Sequence, residues 1–105
     1  MKKIIKLALI STLGTILTTL SLVANVAKGE NIYTKQLKPK CKGMSGSNFA
    51  AKHSQDEWEE IYDAGKIEDE IKKICAGATL NEKLLPHIYD FAYEYANDSG
   101  KIPNN

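Results

Sequence analysis

The sequence predicts an all-α fold of three to four short helices. Apolar residues recur at helical spacing in several segments, and no segment shows the sustained alternation of apolar and polar residues that is typical of a strand. Valine, a residue that favours strands, occurs only at Val23 and Val26, close to the N-terminus. Glycine, proline and helix-capping residues separate the helical segments from one another.

The first 29 residues have the pattern of a secretory signal peptide. Three lysines precede an uncharged, largely apolar run from residue 7 to residue 27. The small-residue motif at residues 27–29 predicts cleavage before Glu30. Cleavage after Ala27 is the alternative, although Asn25 at the third position before that bond disfavours it. We therefore expect a periplasmic or secreted protein.

An uncleaved membrane anchor is the alternative interpretation of this segment, because its uncharged run has about the length of a spanning helix. Serine and threonine residues dilute its apolar character, and Gly14 lowers its helix propensity. The signal peptide is therefore preferred, with no stable membrane anchor after cleavage. It leaves a small helical domain at residues 30–100 and a frayed tail at residues 101–105.

The first predicted helix runs from about Asn31 to Leu37. Tyr33, Leu37 and Cys41 recur every four residues and would share one face, while Pro39 disrupts the end of the stretch. Residues 43–47, rich in glycine and serine, predict a loop. Residues 48–52 would form a single turn.

The second predicted helix has the clearest local signal in the chain. Ser54 and Glu57 form a capping box, in which the serine hydroxyl accepts from the Glu57 amide and the Glu57 carboxylate reaches back. Gly65 suits a left-handed C-terminal cap. The residues expected on the inward face are Trp58, Ile61 and Tyr62.

The third predicted helix runs from about Ile67 to Ala76, and the last one has Pro86 in its first turn. The apolar stripe of the last helix comprises Leu84, Leu85, Ile88, Phe91, Ala92 and Tyr95. Tyr89 and Tyr93 lie off this stripe and are a candidate partner surface. Packing of these two tyrosines against the other helices is the alternative.

Removal of the leader makes the chain acidic. Four of the 14 lysines leave with it, so that 10 basic residues face 13 acids, a net charge of −3. The sequence has no arginine, which argues against nucleic-acid binding. Basic residues nevertheless cluster near the new N-terminus, where they could face an acidic protein partner or simply form a solvated surface. They are Lys35, Lys38, Lys40, Lys42 and Lys52.

Cys41 and Cys75 are the only cysteines, in a chain expected to enter an oxidising compartment. A disulfide between them is the preferred interpretation; free thiols, intermolecular pairing and a metal or cofactor role are the alternatives. His53 and His87 could join them in a metal site, but no two of the four residues have the close spacing usual for zinc. The sequence therefore predicts no metal site and no enzymatic activity.

The segment beginning at Cys41 resembles part of the haem-binding motif of class I cytochrome c. Cys41-Lys42-Gly43-Met44-Ser45-Gly46 is similar to the Cys-His-Gly-x-x-Gly end of that motif. Trp58-x-x-Ile61-Tyr62-x-x-Gly65-Lys66 is similar to the family's middle helix, and Leu85-Pro86-x-x-Tyr89-x-Phe91-x-x-x-Tyr95 to its C-terminal helix. The chain after the leader also resembles a set of small exported bacterial proteins that are sometimes labelled cytochrome c. The resemblance, over residues 31–100, implies a cytochrome c-like fold whose N- and C-terminal helices are in contact.

The motif is degenerate. Lys38 stands where the family has its first thioether cysteine, and Lys42 stands where it has the proximal histidine. Cys41, Gly43 and Gly46 are what remains of the pattern. The resemblance therefore implies a protein without covalent haem, in which Cys41 pairs with Cys75 instead.

Three functions follow as expectations. The first is a non-enzymatic, exported, cytochrome c-like protein that binds a protein partner or assists electron transfer without covalent haem. The second is a haem-binding electron carrier with unusual ligation. The third is a small exported interaction domain, stapled by a disulfide and unrelated to cytochromes.

Overall fold

The computed structural model describes residues 25–103, and all the regular structure in this range is helical. The predicted leader therefore lies outside the described residues except for residues 25–29. The predicted all-α fold is confirmed, with five α-helices in the described range. They are α1 at residues 25–32, α2 at Gly46–Ala50, α3 at Gln55–Asp63, α4 at Ile67–Ile74 and α5 at Leu85–Glu94.

The helix α1 is the first part of a longer helical arm. It continues directly into a π-helical turn at Tyr33–Leu37 and a 3₁₀ turn at Lys38–Cys41. The arm therefore extends beyond both ends of the helix predicted at Asn31–Leu37. Its three predicted inward residues, Tyr33, Leu37 and Cys41, are all buried. The arm ends at Lys42, whose positive φ of 56° turns the chain.

The next helix, α2, begins earlier than the turn predicted at residues 48–52. Ser45 caps it, because the serine hydroxyl accepts from the Asn48 amide at 3.1 Å. The predicted loop at residues 43–47 is correspondingly shorter. Gly46, the first residue of α2, packs closely against the core. A Cβ atom there would lie 2.7 Å from the Phe91 ring, so this position suits glycine.

The predicted capping box of α3 is confirmed. Ser54 Oγ accepts from the Glu57 amide at 3.2 Å, and the Ser54 amide donates to Glu57 Oε1 at 2.9 Å. Past the end of the helix, Gly65 has the left-handed conformation expected of it, with φ of 70°.

One residue of the predicted inward face of α3 lies at the surface. Trp58 is fully buried and Ile61 partly so, but Tyr62 is 37% exposed. The Tyr62 ring stacks on Tyr89 of α5, with the ring centroids 4.2 Å apart. Tyr62 therefore packs against α5 at the edge of the core and does not enter the core.

Two buried isoleucines, Ile67 and Ile71, anchor α4, which ends at Ile74, two residues before the predicted end. A 3₁₀ turn at Glu82–Leu84 leads into α5, and Pro86 lies in the first turn of that helix as predicted. The tail predicted at residues 101–105 has no regular structure in its described part. It is held at two points, since Lys101 pairs with Glu94 at 3.0 Å and Pro103 is buried.

The predicted contact between the first and last helices is confirmed. Gly29 of α1 lies directly against the backbone of α5 at His87 and against the Cβ of Phe91. Below this crossing, aromatic rings fill the core: Tyr33 contacts both Phe49 and Phe91, and Phe49 contacts Trp58. Within residues 25–103, no helix combines the length and the apolar character needed to cross a membrane.

Candidate functional site

Cys41 and Cys75 form a disulfide, as predicted. Their Cα atoms are 4.5 Å apart, and 34 positions separate them in the sequence. Cys41 is the last residue of the helical arm, and Cys75 follows α4 immediately. Both cysteines are almost fully buried, so the bond joins two helix ends at the edge of the core.

An open cleft of about 620 Å³ lies beside the disulfide. Two chain segments form its walls. One lies within residues 40–48, from the end of the arm into α2, and the other covers residues 73–76 at the end of α4. We call it the basic cleft. Its lining residues are Lys40, Cys41, Lys42, Gly43, Met44, Ser45, Asn48, Lys73, Ile74, Cys75 and Ala76.

The charges of the basic cleft are all positive. Lys40, Lys42 and Lys73 are exposed, and no acidic side chain in the described part of the chain lines the cleft. Lys40 and Lys42 form no ion pair with any residue in the range 25–103, whereas Lys73 lies 3.5 Å from Glu70. The cleft therefore presents positive charge that the protein itself only partly neutralises.

The segment from Cys41 to Gly46, whose sequence resembles part of a haem motif, contributes to one wall of this cleft. The Cys41 sulfur is bonded to Cys75, so it is not free to form a thioether. Lys42, which the resemblance aligns with the proximal histidine, has a left-handed backbone conformation and an exposed side chain. Gly43 also has a positive φ, 77°, whereas Gly46 packs against Phe91 and Tyr33. Gly43 and Gly46 therefore shape the turn and the core contact.

These residues do not fit a covalently attached haem. Such attachment needs a Cys-x-x-Cys-His motif, but the only cysteine on this wall is bonded elsewhere and a lysine follows it. No histidine in the described part of the chain lines the basic cleft. Met44 does line it, and the carbonyl of Met44 accepts a hydrogen bond from the Tyr33 hydroxyl at 2.7 Å.

His53 is held in place by the fold. Its Nε2 lies 2.8 Å from Glu70 and its Nδ1 lies 3.3 Å from Glu57. Its ring meets the Trp58 ring edge-on at 4.9 Å, and its carbonyl accepts from the Asn97 amide at 3.1 Å. These contacts join α3, α4 and the chain after α5, so His53 has a structural role in the described fold.

His87 lies in the first turn of α5, at the contact with α1. Its Nδ1 is buried without a hydrogen-bond partner in the described structure. His87 does not come together with His53 or the two cysteines. Among residues 25–103, no group of three or more histidine, cysteine, aspartate or glutamate side chains is arranged to hold a metal ion.

Tyr89 lies in the middle of an aromatic row that also includes Tyr62 and Tyr93. Tyr89 and Tyr93 are both half-buried and pack in this row, and the partner surface stays a prediction. Burial raises the pKa of Tyr89 to about 12, with smaller contributions from nearby groups that include Glu59 and Asp63. The row is therefore bordered by acidic side chains, in contrast to the basic cleft.

Sequence reasoning found one wall of the basic cleft and missed the other. Lys73 lies 33 positions after Lys40 and 31 after Lys42, and it belongs to no motif of its own. The signal that could have found it was the cysteine pairing, because a bond from Cys41 to Cys75 brings the end of α4 next to Lys40 and Lys42.

Comparison with protein-family models, with curated proteins and with solved structures found no match to this chain.

Proposed function

We propose that this protein is a non-enzymatic, exported domain of cytochrome c-like descent that lacks covalent haem and binds an acidic protein partner through the basic cleft. The observation that carries the proposal is the pair Lys40 and Lys42, which flank the disulfide without any ion-pairing carboxylate in the described structure. The periplasm or the extracellular medium is the proposed compartment, in keeping with the leader and the disulfide.

The position of these lysines favours recognition of a partner. The disulfide fixes the end of the arm against the end of α4, so the backbone that carries Lys40, Lys42 and Lys73 is already ordered before binding. A preorganised surface loses less conformational entropy when a partner docks. Positive charge without internal compensation also accelerates encounter with an acidic surface, and this effect weakens as salt is added.

The proposed descent explains why the motif retains some residues and lacks others. Cys41, Gly43 and Gly46 have structural roles here, since the first closes the disulfide and the two glycines support the turn and the core. Lysines occupy the positions of the first thioether cysteine and the proximal histidine. A surface that once met a redox partner would thus keep its docking role after losing haem attachment.

The test is binding of a defined acidic probe, a disordered peptide rich in glutamate, followed by amide chemical-shift mapping of the disulfide-bonded protein. We expect shifts concentrated at residues 40–48 and 73–76, and affinity that falls between low and physiological salt. The double variant Lys40→Glu, Lys42→Glu should bind about tenfold or more weakly. The matched control is the double variant Lys66→Glu, Lys83→Glu, which makes the same change of charge at two exposed lysines outside the cleft. An equal loss in the control would show diffuse attraction and contradict the proposed site.

A second measurement separates this proposal from an electron carrier with unusual haem ligation. The protein is purified from its native compartment and its absorption spectrum is recorded before and after denaturing extraction. We expect no Soret band. A band that survives extraction would overturn the haem-free proposal, and one that extraction removes would favour the unusual carrier. The third hypothesis, an interaction domain unrelated to cytochromes, predicts the same binding result and differs only in descent.

A further inference from the structure

The contact between α1 and α5 depends on residues that precede the predicted cleavage site. A Cβ atom at Gly29 would lie 2.8 Å from the Cβ of Phe91 and 2.9 Å from the carbonyl carbon of His87. It would come closer still to the His87 carbonyl oxygen, which is backbone and cannot rotate away. The two helices therefore meet at a point where only glycine fits.

Two further residues extend this contact toward the N-terminus. Val26, one turn before Gly29, is 8% exposed. Burial raises the pKa of the Asp90 carboxyl on α5, while His87 and a hydrogen bond from the Asn25 side chain oppose that rise. Asn25 and Gly29 thus both contact α5, and Val26, which lies between them in the sequence, is buried.

Exposed residues alternate with these contacts as expected for a helix on the surface of a folded domain. Ala27 and Lys28 are exposed, whereas Val26 and Gly29 are buried. Cleavage after Gly29 would remove the whole contact from residue 25 to residue 29. Cleavage after Ala27 would remove Asn25 and Val26 and leave Gly29 as the second residue of the chain.

We propose that the signal peptidase cuts at the Ala24–Asn25 bond or upstream of it, so that residues 25–29 belong to the mature domain. Ala24 supplies the small residue required immediately before the cut, and the uncharged, apolar Leu22 occupies the third position before it. The proposal rests on the export part of the proposed function and not on the basic cleft, so binding of the acidic probe does not bear on it.

The first experiment determines the N-terminus of the exported protein, expressed from the full chain in a bacterial host, by intact mass and N-terminal sequencing. A chain that begins at Asn25 or at an earlier residue after leader removal supports the proposal. A chain that begins at Lys28 or Glu30 overturns it. An uncleaved chain retained in the membrane would also overturn it, and would contradict export at the same time.

Ala27→Leu isolates the position of the cut. Leucine at this exposed position replaces the residue immediately before one alternative cleavage bond and three before the other, yet it lies outside the helix contact. We expect pulse-labelled Ala27→Leu precursor to be processed at the wild-type rate. Accumulation of unprocessed precursor would overturn the proposal.

Gly29→Val tests whether Gly29 is part of the folded product. We expect normal processing and a mature protein whose Tm is lower by roughly 10 °C, because the added side chain meets the α5 backbone. Lys28→Val is the matched control, since Lys28 is exposed, and its Tm should stay near that of the wild type. If the Gly29→Val product is degraded, pulse labelling still records processing. Blocked processing of Gly29→Val together with normal processing of Lys28→Val would overturn the proposal.

Discussion

The Nε2 atom of His53 lies 2.8 Å from the Oε2 atom of Glu70. Both side chains are shielded from solvent, at 25% and 13% exposure, and the imidazole also rests edge-on against Trp58. This contact joins the segment before α3 to α4, two elements that no sequence motif connects. A hydrogen bond to a carboxylate in such a place contributes more than an exposed ion pair does.

Replacement of His53 should therefore destabilise the domain. We expect His53→Ala to lower the free energy of unfolding by about 1–3 kcal/mol, because it removes the bond to Glu70 and the contact with Trp58. Urea denaturation followed by the fluorescence of Trp58, the only tryptophan, measures the change. Glu60→Ala, at an exposed position of α3, is the control and should change stability little. A double-mutant cycle of His53→Ala with Glu70→Gln should show coupling, and additivity would contradict a direct interaction.

Loss of the disulfide should destabilise the domain further. The bond closes a loop over a sequence separation of 34, for which loop-closure entropy gives roughly 3–4 kcal/mol. We expect the double variant Cys41→Ser, Cys75→Ser to unfold at markedly lower urea concentration than the oxidised protein. Wild-type protein kept in excess dithiothreitol should match the double variant. Unchanged stability in both cases would mean that the core alone holds the two helix ends together.

Burial of Tyr33 predicts a loss of stability at high pH. Burial raises the pKa of its hydroxyl from 10.0 to about 12, so the folded state favours the neutral form. The stability of the folded state is unaffected by this group below pH 10 and falls as the pH rises from 10 toward 12. The loss of stability at pH 11 is about 1 kcal/mol. Tyr33→Phe removes this loss, together with the hydrogen bond to the Met44 carbonyl.

Unfolding of Tyr33→Phe in urea at pH 8 and at pH 11 tests this prediction. At pH 8 the variant should be less stable than the wild type by about 1 kcal/mol, because the Met44 carbonyl loses its partner. The difference should narrow at pH 11, where ionisation already penalises the wild-type protein. A difference that stays constant would contradict the assignment of the alkaline transition to Tyr33.

At low pH, Glu57 should govern part of the stability. Its pKa is lowered by the hydrogen bond from the Ser54 amide first, and then by His53. The folded state therefore favours the carboxylate, and the stabilisation present above the ordinary pKa is lost as the pH falls through the lowered one. We expect Glu57→Gln, which keeps an acceptor for the capping box, to lose less stability on acidification than the wild type. Parallel urea midpoints of the two proteins between about pH 5 and pH 3 would contradict this role.

The features that sequence could predict are local. The capping box of Ser54 and Glu57 joins residues three positions apart, and the spacing of Tyr33, Leu37 and Cys41 follows from one helical face. The cysteine pairing was also predictable, because two cysteines in a chain expected to enter an oxidising compartment leave few choices. The contact of the first and last helices was expected only through the resemblance to cytochrome c.

The features that sequence could not predict depend on tertiary contacts. The spacing of apolar residues in α3 predicts that Tyr62 faces inward. Its ring instead stacks on Tyr89 of α5 at the surface. The sequence around Gly46 predicts a loop, but in the structure Gly46 begins α2 and packs against the Phe91 ring. One wall of the basic cleft comes from the end of α4, so Lys73 joins Lys40 and Lys42 only after folding.

The disulfide divides the chain into a covalently closed ring and two terminal segments that lie outside it. The ring, from Cys41 to Cys75, contains α2, α3 and α4, but neither α1 nor α5. The two terminal segments hold each other through packing at Gly29 and the hydrogen bond from Asn25 to Asp90, with no covalent bond between them in the described structure. They can separate while the ring stays closed, so amide hydrogens of α1 and α5 should exchange by a partial opening that oxidation of the cysteines does not suppress.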